Sequence, residues 1–240
     1  MTGLISPFES PEVFMSFSKL LLDVDGTLLN FDASAEKALE TLFDRRHYVY
    51  SDRVFERYTV INNGLWEKHE RGEMPRDRVL TERFTMLFAE LGIDEEGAAF
   101  EHDFRDQLEK DPVWMDGAED ILKYLQPKYE LYIVTNGVGR TQRARLAATG
   151  LDRYVKDVFI SEVIGAQKPQ KAYFDYCLAH IGPYRLSELL LIGDSLTADI
   201  LGANRAGITS CWFNPHGKPL TGEAKPDLEI RQLSELKSLL

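Results

Sequence analysis

The sequence predicts an α/β protein, a doubly wound parallel sheet with a helical module inserted behind its first strand. Three observations lead to this. Short, nearly unbroken apolar runs recur at residues 19–24, 130–135, 157–160, 188–193 and 208–213. Strands buried on both faces lose the polar alternation of a half-exposed sheet, so these runs indicate a parallel sheet covered on both sides. Helical patterns fill the later gaps. The first gap is different: it holds roughly one hundred residues without a strand run, too many for one crossover helix.

Taken in order, residues 1–18 carry Pro7, Pro11 and scattered serines and read as an arm, with Met15 as an alternative start. They lack a basic start and an uninterrupted apolar stretch, so no signal peptide is expected. The first strand run follows. From Asp32 to about Lys110 the pattern is helical, with Leu39, Leu42 and Phe43 on one apolar stripe and Leu80, Phe84, Leu87 and Phe88 on another. Breaks are expected at Asn62-Asn63-Gly64, between Gly72 and Pro75, and between Gly92 and Asp94. The chain returns at Asp111-Pro112, which divides it into a core of residues 1–31 and 112–240 and a helical cap of residues 32–111. Further helices are expected over 117–125, 140–149 and 171–181, the last burying Ala172, Phe174, Tyr176, Cys177, Leu178 and Ile181.

At 240 residues the chain can bury a full-sized core, and 44% apolar with 28% charged residues is ordinary for a globular protein. Its apolar runs are strand-length and too short to cross a bilayer. A net charge of −11 argues against a role on nucleic-acid polymers or anionic membranes, and leaves room for a small phosphorylated substrate held by local cations. Cys177 and Cys211 make no disulfide framework, so a cytoplasmic setting is expected. The five histidines are scattered without metal-ligand spacing and read as solvated or packing residues.

Four segments carry chemistry. In Leu20-Leu21-Leu22-Asp23-Val24-Asp25-Gly26-Thr27 an apolar strand ends in two carboxylates one residue apart, able to point to one side. Gly26 lets the chain leave the strand through a conformation closed to bulkier residues. Ligands of such sheets bind at the carboxyl ends of the strands, where these acids stand. In Ile133-Val134-Thr135-Asn136-Gly137 a hydroxyl, an amide and backbone N–H groups near a helix start suit a phosphate, although Thr-Asn-Gly is also a common turn. Lys168-Pro169 gains interest from its company. In Leu191-Ile192-Gly193-Asp194-Ser195-Leu196-Thr197-Ala198-Asp199 a strand delivers Asp194, and Asp199 opens the next helix as a ligand, a cap or both. Carboxylates of this kind suit Mg²⁺.

In order and spacing these four segments resemble the haloacid dehalogenase (HAD) superfamily, over nearly the whole chain from Lys19 onward. The resemblance implies a Rossmann-like core of strand order 5-4-1-2-3, with the inserted helices as a cap. It implies Asp23 as nucleophile and Asp25 as general acid/base, passing through an aspartyl-phosphate. Thr135, Asn136 and Gly137 would hold the phosphoryl group, and Lys168 would neutralise its oxygens. Asp23, Asp194 and the main-chain carbonyl of Asp25 would bind Mg²⁺, with Asp199 and Ser195 in support. Members that displace halide need no proton on the leaving group, so Asp25 favours phosphate chemistry. The segments 61–67, 160–169 and 206–214 further resemble the pyrimidine 5′-nucleotidases of the superfamily.

In the cap, Asn62, Asn63, Trp66 and His69 are candidates for base or ribose contact, although Trp66 also fits a packing position. Arg140, Arg143 and Arg145 could attract phosphate, although a solvated helix face is the preferred reading. Cap closure is expected about hinges at residues 29–32 and 110–112. The alternatives to a nucleotidase are an inorganic pyrophosphatase, a sugar-phosphate phosphatase or mutase, a haloacid dehalogenase and a non-catalytic binding protein.

Overall fold

The computed structural model describes residues 17–240, so most of the expected N-terminal arm lies outside the described residues. β1 (Lys19–Leu22) stands at the centre of a parallel six-stranded sheet. On one side of it lie β2 (Glu130–Thr135) and then β3 (Asp157–Ile160). On the other lie β4 (Leu189–Gly193), β5 (Thr209–Phe213) and β6 (Leu228–Ile230). Read from the far edge the order is 6-5-4-1-2-3: the expected 5-4-1-2-3 with one strand added beyond β5.

Alternation along the strands explains their unbroken apolar character. Leu20, Leu22, Leu131, Ile133, Leu190 and Ile192 pack on one face against α5 (Ala118–Leu125), α6 (Gly139–Thr149) and α10 (Leu236–Leu239). Leu21, Tyr132, Val134, Leu189 and Leu191 pack on the other against α8 (Lys171–His180) and α9 (Leu201–Ala206), with the short α7 (Ser161–Ile164) following β3. Both sets are buried because helices cover both faces. On α8 the buried face runs through Tyr173, Phe174, Cys177 and Leu178, whereas Ala172 and Tyr176 are exposed.

Between β1 and α5 four helices form a body with its own core: α1 (Phe31–Arg45), α2 (Asp52–Glu70), α3 (Arg76–Leu91) and α4 (Gly97–Lys110). Asn30 caps α1, its side-chain oxygen accepting from Ala33 N at 2.9 Å. The chain enters and leaves this body along adjacent linkers: Asn30 N donates to Val113 O at 2.8 Å, and Leu29 bridges Trp114. The expected breaks at Gly72 to Pro75 and Gly92 to Asp94 separate helices. The one at Asn62-Asn63-Gly64 does not occur, because α2 runs through it. Tyr58, Ile61, Asn62 and Leu65 keep the buried stripe in phase there, and one mid-helix glycine costs only about 1 kcal/mol.

Beside this stripe Arg83 is buried among aromatic rings and pairs with Glu101 through two hydrogen bonds of 2.7 and 2.8 Å. Its remaining nitrogen Nη1 donates to Tyr58 and Asn62. Removing Arg83 leaves the buried Glu101 only Arg105, 3.2 Å away on its own helix. Arg83→Met is therefore expected to lower stability by about 3–5 kcal/mol in denaturant unfolding; a loss below about 1 kcal/mol would show that Arg105 alone compensates Glu101.

Candidate active site

Parallel pairing sets the ends of the central strands level, with Leu22 opposite both Ile133 and Ile192. The chain then turns at the same edge in all three strands. Asp23 follows β1, Thr135 ends β2, and Asp194 follows β4. Gly26 carries a φ of +85°, and a side-chain carbon there would meet Asp194 Oδ2 at 2.5 Å. Glycine thus serves both the turn and the close approach of a second carboxylate. Gly193 is hemmed in the same way by the Asp199 carboxylate.

Lys168 organises the buried end of the site. Its Nζ lies 2.6 Å from Asp23 Oδ1, 2.7 Å from Asp199 Oδ1 and 3.0 Å from Val134 O. Burial alone would lower this ammonium, but Asp199 and Asp23 outweigh it and raise it, so it stays charged. Asp23 also accepts from Thr27 Oγ1 at 3.2 Å. Burial pushes Asp23 up to about 7; Lys168 opposes that rise and Asp199 adds to it. Asp194 is raised as well, by burial first and then by Asp23 and Asp199.

One carboxylate oxygen from each of Asp23, Asp194 and Asp199 lies within 4.8 Å of the others. Three acids against one lysine form a site short of positive charge, and an all-oxygen donor set of this kind fits a hard divalent cation. The oxygens of Asp199 are engaged, Oδ1 by Lys168 and Oδ2 by Ser195 N at 3.1 Å. Asp194 holds its position through its carbonyl, which accepts from Trp212 Nε1 at 2.9 Å.

The remaining expected residues divide. Thr135 Oγ1 accepts from Gly137 N at 3.1 Å, tightening the turn after β2. The Asn136 side chain braces Lys168: its Nδ2 donates to Lys168 O at 3.0 Å and its Oδ1 accepts from Lys168 N at 2.9 Å. Ser195 caps the turn that leads into α9, accepting from Ala198 N at 3.0 Å. Asn62 reaches the cleft wall, but its carbonyl is taken by Arg83 at 3.0 Å. Trp66 lines the cleft, whereas His69 is buried beneath it with Nδ1 2.9 Å from Met74 O.

Of the three arginines expected on a solvated face, only Arg145 departs from it. Arg140 spans to α4, pairing with Asp106 at 2.8 Å and Glu109 at 3.2 Å. Arg145 is fully buried and binds Asp25. Arg140 and Arg143 are exposed, as a solvated face requires.

Several contacts at the site carried no sequence signal. Gln142 and Arg145 both grip Asp25, at 2.8 and 2.6 Å. Glu70, at the end of α2, accepts from the hydroxyls of Thr197 and Ser195, and burial pushes it up to about 7. The cleft between sheet edge and helical body encloses about 1310 Å³. Asp23, Asp25, Asp194, Asp199, Lys168 and the 135–137 turn line it from the sheet domain, and Asn62, Asn63, Trp66 and Glu70 from the helical body.

Comparison with known proteins places the site in a lineage. The sequence pattern of one family, described as haloacid dehalogenase-like hydrolase, matches residues 20–207. YfnB of Bacillus subtilis (strain 168) is 44% identical over 224 residues, spanning 93% of this chain and 95% of that protein. The pyrimidine 5′-nucleotidase PynA of Streptococcus pneumoniae (strain ATCC BAA-255 / R6) is 34% identical, spanning 94% and 96% of the two chains. A crystal structure of YfnB, described as bound to magnesium and as revealing interdomain movement, superposes with a TM-score of 0.89 at 43% identity, covering 93% of this chain and 98% of that one.

Proposed function

This chain belongs to the haloacid dehalogenase-like hydrolases, and on that premise we propose that it is a Mg²⁺-dependent phosphomonoesterase acting on pyrimidine nucleoside 5′-monophosphates. The observation that carries the reading is the pairing of a lysine-held carboxylate, Asp23, with a second carboxylate, Asp25, at the mouth of the same cleft. A halide leaves without a proton, whereas an alkoxide does not, so Asp25 suits phosphate esters.

Asp23 attacks phosphorus, and the bond from phosphorus to the leaving oxygen breaks as Asp25 gives that oxygen its proton. Water then loses a proton to Asp25 and attacks the same phosphorus, and the bond to Asp23 breaks to release inorganic phosphate. Lys168 fixes the orientation of Asp23 and offsets charge beside it. Thr135 and the 136–137 backbone receive the phosphoryl oxygens, while Asn136 acts through Lys168. Asp23, Asp194 and the carbonyl of Asp25 would hold Mg²⁺, which when bound would supply the positive charge that lets an anionic nucleophile meet an anionic ester. Lys168 and Ser195 keep Asp199 turned away from that role.

In this reading residues 32–111 are a cap domain that closes over the core and excludes water. Trp66 supplies the face against which a base packs, and Asn62 acts through Arg83. The partner is a small phosphorylated metabolite, and the buried free thiols of Cys177 and Cys211 suit the cytoplasm.

The kinship with a pyrimidine 5′-nucleotidase over nearly its full length supports the substrate class. Phosphate release from nucleotides, sugar phosphates and pyrophosphate, with Mg²⁺ or with EDTA, tests it. Preference for pyrimidine monophosphates and loss of turnover in EDTA are expected. Activity centred on pyrophosphate or sugar phosphates would retain the chemistry and remove the nucleotidase reading. Turnover of haloacids alone would remove both.

A further inference from the structure

Two side chains on α6 stand outside the steps above yet meet at the acid/base group. Gln142 Nε2 donates to Asp25 Oδ2 and to Thr135 Oγ1, both at 2.8 Å. Arg145 Nη1 donates to Asp25 Oδ1 at 2.6 Å and to Gln142 Oε1 at 2.8 Å. Both residues are 1% exposed, whereas the Asp25 side chain remains 30% exposed and lines the cleft.

This is a costly way to use an arginine. A guanidinium removed from water must be compensated, and among the described residues Nε and Nη2 of Arg145 have no hydrogen-bond partner. Among the described residues its one ion-pair partner is Asp25. Asp25 has no comparable need, since it faces solvent. The arrangement therefore does more for the placement of Asp25 than for the stability of α6.

We propose that Gln142 and Arg145 are positioning residues: together they lock both oxygens of Asp25 and tie them to Thr135, fixing the proton donor relative to the phosphoryl-holding turn. The proposal rests on the phosphomonoesterase reading. Proton transfer needs hydrogen-bond reach, and a misplacement of about 1 Å costs on the order of 10²-fold in rate. That cost falls on one class of substrate. An alkoxide leaves only with a proton, while p-nitrophenolate leaves without one. Hydrolysis of the aspartyl-phosphate needs Asp25 whichever group has left.

The test compares p-nitrophenyl phosphate with the alkyl phosphate turned over best in the panel above, using Gln142→Met, Arg145→Met, Arg145→Lys and Asp25→Asn. In the methionine variants kcat/KM for the alkyl ester is expected to fall about 10²-fold, with p-nitrophenyl phosphate losing less than about tenfold. Rapid mixing should show a burst of one p-nitrophenolate per chain before slow turnover. Arg145→Lys should recover part of the loss.

Equal losses on both esters, without a burst, would mean a merely structural role and overturn the proposal. An Asp25→Asn enzyme with unchanged preference between the esters would overturn the acid/base reading, and the proposal with it. Selectivity altered by Asp25→Asn but not by the α6 variants would overturn the proposal alone. Thermal melts identify any variant that fails to fold, and Gln142→Met, which removes no charge, then decides the matter.

Discussion

Asp23→Asn is expected to lower kcat by about 10⁴-fold or more, roughly 5 kcal/mol in the barrier, in phosphate-release assays with Mg²⁺. An amide of the same shape keeps the Thr27 contact within reach and loses the nucleophile. Stability should not suffer in parallel. The change removes one of three clustered acids and leaves Lys168 its partner Asp199 at 2.7 Å. The melting temperature in EDTA should hold or rise, because burial already disfavours the charged form of Asp23. Retention of more than about one hundredth of the activity would sink the proposed nucleophile.

Lys168→Met should fail in the opposite pattern, losing stability as well as turnover. The ammonium is buried and touches Asp23, Asp199 and the Val134 carbonyl, so its removal strands two buried carboxylates. A loss of about 3–5 kcal/mol is expected in urea unfolding without Mg²⁺. Turnover should drop by about 10²–10³-fold, the size of losing one preorganised charge contact. Saturating Mg²⁺ should return part of the stability and little of the rate, since a cation can neutralise Asp23 without orienting it. A variant as stable as the parent would show that the two acids simply take up protons.

The strands were legible because the fold buries them on both faces, which leaves Leu20-Leu21-Leu22 and Leu189-Leu190-Leu191-Ile192 nothing polar to hide. β6 was not. It is three residues long at the sheet edge, with Glu229 facing out between Leu228 and Ile230, and carries too little pattern to separate it from a loop. Asp23 and Asp194 stood out because each follows directly on an apolar strand, and the structure gathers them with Asp199.

Arg145 was misread for a physical reason. A polar residue three positions after Gln142 looks like part of a solvated stripe, and only the neighbouring strand end brings Asp25 to it. Glu70 is harder still. Its partners Ser195 and Thr197 lie more than a hundred residues away, and no local pattern encodes a contact made by docking one body on another. Asn62 illustrates the converse. Its neighbours Asn63 and Gly64 announce a turn, yet tertiary packing through Arg83 keeps the helix intact.

The seam between helical body and sheet domain is crossed by Arg140 to Asp106 and Glu109, by Arg76 to Glu162, by Gln167 to the His69 carbonyl and by Thr197 to Glu70. These contacts are polar, and the buried apolar residues of the two bodies fall in separate clusters. Exposing apolar surface raises heat capacity, while exposing polar surface lowers it slightly. Parting the two bodies along this seam would therefore change heat capacity little, unlike unfolding either one. The balance between parted and joined forms should drift only weakly with temperature and respond instead to ionic strength, which screens the exposed pairs. Salt, rather than warmth, is the natural lever on the gap above Asp23.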